Sequence, residues 1–268
     1  MEGEGIPVLV VGSTTYYTRL FDQKIRAALQ LVFIDTRAFV PSTRELHPVD
    51  YSLERIVDDI EIIRERLCLE DFVIMGHSGT SFLALEYAIK YPKHVRNIVL
   101  CNTAPTNSAE RQQASIASFE ENACLERKRK FEADMAQLPK DLEKEPERRF
   151  AHMCIRMGAH SFYDFSFNAS ELWEGVYTNM PIIDHLWGEA FGEIDMLERL
   201  ADVQKPVFLG LGKYDFLVGP QELWESVENR HPHVKKVIFE RSGHNPMLEE
   251  PETFFRHLVH WIKEGSES

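Results

Sequence analysis

Short, unbroken apolar runs alternate along this chain with longer stretches in which apolar residues recur at helical spacing. Ile6 to Val11 is one such run, β-branched throughout most of its length, as a parallel strand buried on both faces should be. Leu31 to Ile34, Phe72 to Met75, Ile98 to Cys101, Val207 to Leu211 and Val237 to Phe239 repeat the pattern. Between the second and third runs, Leu53, Ile56, Val57, Ile60, Ile63 and Leu67 fall on one face of a predicted helix, with charged residues between them. Phe82 to Ile89 is apolar nearly all round and predicts a buried helix. A closing amphipathic helix is predicted from about Pro251, suited by its fixed φ to a first turn, to Lys263. Strands alternating with helices predict an α/β protein with a mostly parallel central sheet and helices on both faces.

One stretch breaks the alternation. Between 107 and 187 no strand is evident, and the sequence turns charged, helical and aromatic. This predicts a core of 1–106 and 188–268 with a helical lid of 107–187 inserted between two buried strands. Ligands in such sheets bind at the carboxyl ends of the strands, where an insertion of this kind would cover them.

Composition narrows the classes of function. The formal charge of −13 disfavours nucleic acid and anionic membrane as partners, because those surfaces select clustered Lys and Arg. The one basic cluster, Arg127 to Lys130, sits among acidic neighbours and reads as a solvated helix face. Cys68, Cys101, Cys124 and Cys154 show no close pair and no zinc-type spacing, so no disulfide framework is implied. Cys68 and Cys101 each close an apolar run, as small buried hydrophobes do. The acidic N-terminus lacks the basic and apolar regions of a secretory signal, and no apolar stretch approaches the roughly 20 residues that span a bilayer. A soluble cytoplasmic protein acting on a small molecule is the expectation.

The sharpest chemical signal is Gly76-His77-Ser78-Gly79-Thr80, between a strand and a buried helix. A strand that turns at once into a helix holds one residue in strained geometry, with glycines beside it relieving the crowding. That residue projects above the sheet, where the helix N-terminus favours developing negative charge. A serine there is an exposed nucleophile; the competing reading is that Ser78 caps the helix. A serine nucleophile needs a base, and the base an orienting carboxylate. Asp215 follows the run Val207–Leu211, and His244 follows Val237–Phe239 in a glycine-containing loop. Both therefore sit beyond carboxyl ends of strands, on the edge that carries Ser78. For Asp215 the competing role is that of a turn residue closing its loop.

With these residues in the order Ser, Asp, His, the chain resembles α/β-hydrolases of the group that includes prolyl-iminopeptidase-like hydrolases, carbon–carbon bond hydrolases and small esterases. The resemblance runs from Gly5 to Lys263 and also rests on Tyr91-Pro92-Lys93-His94-Val95 and on Asn245 to Glu252. It implies cleavage of an ester-like or amide-like bond in a small, fairly apolar substrate without metal or cofactor. By position, the backbone N–H groups of Thr14 and Gly79 would form the oxyanion hole. Ser13, Tyr16 and Tyr17 beside that loop, and Trp173 and Tyr177 in the lid, are candidate substrate contacts. The remaining lid residues His152, His160, Tyr163, His185 and Trp187 read chiefly as packing; Glu171 and Glu174 could meet a substrate amine or simply face water. Alternatives on the same three residues are a prolyl-type aminopeptidase, a carbon–carbon bond hydrolase, or a non-catalytic small-ligand receptor.

Three features depart from the group. The elbow ends in Thr80 rather than Gly. The loop Gly12-Ser13-Thr14-Thr15-Tyr16-Tyr17 lacks the usual His-Gly, and the Gly-Gly-Pro-Gly stretch of prolyl iminopeptidases is absent. The usual N-terminal hairpin is missing or replaced, which predicts a sheet edge left open or paired in a homo-oligomer.

Overall fold

The computed structural model describes residues 1–264. Its six strands are β1 (Ile6–Gly12), β2 (Leu29–Asp35), β3 (Phe72–His77), β4 (Val95–Cys101), β5 (Val207–Gly212) and β6 (Val234–Phe239). They form one sheet in the order β2-β1-β3-β4-β5-β6, and every pairing is parallel. Each predicted run is a strand, extended by one to three residues at its ends. Most extensions are polar or glycine positions that hydrophobicity does not mark, such as Gly12, His77, Arg96 and Lys235, while Leu29, Val95 and Val234 are apolar residues cut off from their runs by such positions. Parallel pairing sends every strand's carboxyl end to the same edge, so residues just beyond β3, β5 and β6 become neighbours there.

Two apolar clusters lie on opposite faces of the sheet. One gathers Leu9, Ile74 and Leu100 with the helices Leu53–Arg66 and Thr80–Lys90. The other gathers Val8, Val73 and Val99 with the final helix Pro251–Glu264. Alternation along β1, β3 and β4 supplies both faces, which is why these strands read as continuous apolar runs. Between β4 and β5 the chain forms helices and turns, among them Ala109–Asn122, Leu125–Met135, Arg149–Arg156 and Met180–Gly188.

Local expectations fail at two places and are modified at a third. Cys68 is exposed, with a φ of 54°, because it lies in the turn after the helix rather than on its apolar face. Arg127 is buried, not solvated: its guanidinium donates to the carbonyls of Ala159, Phe162 and Tyr163 and lies over the rings of Phe165 and Phe216. The outer edge of β2 is partly covered within the chain, since Glu2 makes an antiparallel bridge to Leu31 through hydrogen bonds of 2.9 and 2.7 Å.

Candidate active site

β3 ends at His77, and the helix Thr80–Lys90 begins three residues later. The reversal places Ser78 at φ 57°, a left-handed conformation uncommon for a residue with a Cβ. Gly76 is needed because a Cβ there would stand 2.5 Å from the Ser81 backbone. A Cβ on Gly79 would stand 2.6 Å from the Trp187 ring, so the missing side chain admits an indole beside the Ser78 turn. Thr80 explains its own departure from glycine. Its hydroxyl accepts the His77 N–H at 3.0 Å and donates to the His77 carbonyl at 2.9 Å, closing the turn with bonds glycine could not make. The helix has Gly79 as its N-cap and no side-chain capping bond, so Ser78 does not serve as the cap.

Asp215 and His244 meet at the carboxyl edge. His244 Nδ1 lies 2.7 Å from Asp215 Oδ2, and both side chains are buried. That carboxylate also accepts the Leu217 and Val218 N–H groups and the side-chain amide of Asn102. Asn102 follows β4 at φ 45°, and the same amide reaches the Gly243 carbonyl at 2.8 Å, joining the two loops. A carboxylate held by several donors keeps its orientation, and an imidazole whose Nδ1 faces it donates from that nitrogen. This leaves Nε2 of His244 as the ring nitrogen not turned to the carboxylate.

His77 carries a second buried imidazole. Its Nε2 is 2.6 Å from the His244 carbonyl oxygen, so Nε2 bears the proton, and its Nδ1 accepts from the Tyr17 hydroxyl at 3.3 Å. Burial, reinforced by the His244 ring at a centroid distance of 4.6 Å, lowers its pKa to about 3. His77 is therefore a neutral strut between the Ser78 turn and the His244 backbone. Glu249 holds that backbone from the other side. Its carboxylate accepts the N–H groups of Gly243 and Asn245, at 3.1 and 3.0 Å, and of Tyr163 at 2.6 Å. Burial pushes the Glu249 pKa up, and these three bonds oppose the shift. The insertion makes one more tie here, as the His244 N–H donates to the Ser161 carbonyl at 2.5 Å.

A cavity of about 430 Å³ opens above the edge, lined by both Ser78 and His244. Phe39, Phe82, Phe150, Met153, Trp173 and Trp187 give it a mainly apolar wall. Of the candidate contacts, Ser13, Tyr16, Tyr17 and Trp173 line this cavity. Tyr16 donates to Asn245 Oδ1 at 3.2 Å, packs on Trp173, and meets Tyr17 edge to face. Tyr177 does not line it: the side chain is 45 % exposed on the outer surface. Glu171 and Glu174 are likewise exposed and outside it, and among the described residues no Asp or Glu lines the cavity.

The loop after β1 differs from expectation. Thr14 opens a short helix, Thr14–Tyr17, and its N–H donates to Asp35 Oδ1 at 2.8 Å. That donor is already engaged, and Thr14 does not line the cavity, so Thr14 is not placed to hold an oxyanion. Ser13, one residue earlier, does line it, with its hydroxyl accepting the Tyr16 N–H as N-cap. The extra turn of helix, invisible to an expectation based on the usual His-Gly loop, turns Thr14 away and leaves Ser13 as the residue of this loop's start that faces the cavity. Sequence reasoning also passed over Asn102, Glu249 and Arg111. Asn102 had a findable signal, a polar residue immediately beyond a buried strand on the edge of Ser78. Glu249 and Arg111 had none, because a helical acidic or basic residue ordinarily faces water.

Comparison with known proteins agrees with this architecture. A family profile described as alpha/beta hydrolase fold matches residues 11–251. The AB hydrolase superfamily protein YclE of Bacillus subtilis is 56 % identical over 262 residues, covering 98 % of this chain and 93 % of that protein. A proline iminopeptidase of Heyndrickxia coagulans is 24 % identical, covering 94 % of this chain and 88 % of its own. Among solved structures, an esterase from Exiguobacterium antarcticum superposes with a TM-score of 0.69 at 18 % identity, over 97 % of this chain and 93 % of its own. With its parallel sheet, its Ser78 turn and a family match spanning most of its length, this chain belongs to the α/β-hydrolase fold family.

Proposed function

We propose that the protein is a serine hydrolase that cleaves an ester-like or amide-like bond in a small, fairly apolar substrate. The observation that carries this reading is the meeting of three elements at one cavity. Ser78 sits on a strained turn, His244 lines the same apolar space, and Asp215 holds the His244 imidazole from behind at 2.7 Å. In this reading Ser78 Oγ attacks the carbonyl carbon while His244 Nε2 takes its proton. Asp215 keeps the imidazole in the Nδ1–H tautomer and stabilises its cation. The oxyanion would form near the Ser13 and Gly79 N–H groups, the latter at the N-terminus of the helix Thr80–Lys90. His244 then returns the proton to the leaving alcohol or amine, and water enters by the same base to release the acid. Residues 107–187 serve as a lid that excludes bulk water.

A prolyl-type aminopeptidase is less well supported. Binding a free α-amine in an apolar space calls for a carboxylate, and none lines this cavity among the described residues. The test is a panel of p-nitrophenyl esters and aminoacyl anilides, combined with a fluorophosphonate probe. Multiple turnovers of esters and probe labelling of wild type but not Ser78→Ala are expected. Ligand binding with at most one turnover would make the protein a receptor, and faster cleavage of a prolyl anilide than of esters would favour the peptidase.

A further inference from the structure

One wall of the cavity is the start of the helix Ala109–Asn122, and the proposed reaction leaves its most unusual residue unused. Arg111 is the one lining side chain with a permanent charge among the described residues. A guanidinium carries five N–H donors. Here Nη1 donates to the Leu217 carbonyl at 3.3 Å and Nη2 to Asn107 Oδ1, both uncharged oxygens. Nε is buried without a hydrogen-bond partner among the described residues. Although the chain has 43 acidic residues, Arg111 forms no ion pair with a described carboxylate. Burial lowers its pKa, with only the more distant Asp215 opposing the shift. Holding a cation this way is unfavourable unless something else supplies the negative charge.

We infer that Arg111 receives a carboxylate carried by the substrate away from the scissile bond, so that the substrate class is a monoester or monoamide of a dicarboxylic acid. The scissile-bond part of this statement rests on the proposed hydrolase reading; the carboxylate site does not. Two connections tie Arg111 to the residues around Ser78 and His244, which line the same cavity. Asn107, which takes Nη2, also donates to the Trp187 carbonyl at 2.6 Å, and the Trp187 indole lies against Gly79. Leu217, which takes Nη1, also donates its N–H to Asp215. A carboxylate fits better than a phosphate. One guanidinium matches one negative charge, whereas a dianion would leave excess charge in a mainly apolar space with no second cationic side chain among the described lining residues. A purely structural clamp between the helix and the Leu217 loop would use Nη1 and Nη2 and has no need of the buried Nε–H.

The experiment pairs mono-p-nitrophenyl glutarate with p-nitrophenyl valerate, which match in length and differ in charge. Wild type should favour the glutarate, and Arg111→Met should lower the glutarate-to-valerate ratio of kcat/KM on the order of a hundredfold, the scale of a lost charge-assisted pair. Arg111→Lys should keep part of the ratio. Equal losses on both esters, or no preference in wild type, would overturn the inference and leave the hydrolase reading standing. A second arm needs no turnover: Ser78→Ala protein is titrated with glutaric acid monoanilide and with valeranilide, following tryptophan fluorescence. Tighter binding of the acid, removed by Arg111→Met, supports the site even when neither ester turns over, in which case the hydrolase reading falls alone. Equal binding of acid and neutral anilide, or tighter binding of a matched alkyl phosphate than of the carboxylate, refutes the carboxylate assignment.

Discussion

The buried His77 makes acid stability a direct test of the strut between the Ser78 turn and the His244 loop. Its imidazole has a pKa of about 3 in the folded chain against 6.5 when unperturbed, with burial the main cause and His244 second. Between these values the unfolded chain binds a proton that the folded chain refuses. Folding stability therefore falls as the pH drops below about 6.5, and the loss ends near the folded value. At pH 5 the unfolded imidazole is almost fully protonated and the folded one almost fully neutral. The expected loss is about 1.4 kcal/mol for each of roughly 1.5 pH units, or about 2 kcal/mol. Because pH 5 lies well above the folded pKa, this magnitude hardly depends on how low that pKa is. The perturbation is His77→Gln, whose side-chain amide can still donate to the His244 carbonyl but does not titrate. Urea unfolding at pH 7.5 and pH 5 gives the change in stability for each protein, and the difference between them isolates His77. His160, lowered to about 4 by its burial among Phe119, Phe131 and Arg127, contributes with the same sign in both proteins. Glu249, raised by burial, acts with the opposite sign in both. A pH-dependent loss in His77→Gln within about 0.5 kcal/mol of the wild-type loss, against the roughly 2 kcal/mol expected, would refute a neutral, buried His77.

Three further outcomes follow from the same geometry. Glu249→Gln should destabilise the chain by about 1–3 kcal/mol in urea unfolding, because an amide cannot accept from Tyr163 on one atom and from Gly243 and Asn245 on the other; unchanged stability would discard the Glu249 tie. Gly79→Ala should lower kcat for a short ester by tenfold or more, since its Cβ meets the Trp187 ring at 2.6 Å, and adding Trp187→Leu should restore part of the loss; no recovery would mean that the indole is not the obstacle. Asn102→Ala should lower kcat by about tenfold, about 1.4 kcal/mol in the barrier, through the loss of its bonds to Asp215 and Gly243; wild-type kcat would remove Asn102 from the positioning of that loop.

Much of this protein is written locally. Residues such as Val8, Ile74 and Val99 are apolar on both sides of their strands, which only a sheet covered on two faces accommodates, so six parallel strands were legible from runs alone. Ser78, Asp215 and His244 were legible for the same reason, because parallel topology turns a position beyond a strand's carboxyl end into a position on one shared edge. What stayed hidden depends on which partner a polar group finds across space. Asp35 takes the Thr14 N–H and removes Thr14 as a donor to the cavity; Arg127 turns inward to three carbonyls; Tyr177 points out while Trp173 points in. Glu249 and Arg111 read as ordinary surface charges until the fold half-buries them beside the His244 loop and the cavity. Hydrophobic periodicity is a property of neighbouring residues along the chain, so the sequence alone specifies the sheet and its helices. The partners of buried polar groups are distant in the chain and are selected only when packing removes water from them, and so the architecture of the pocket belongs to the tertiary structure.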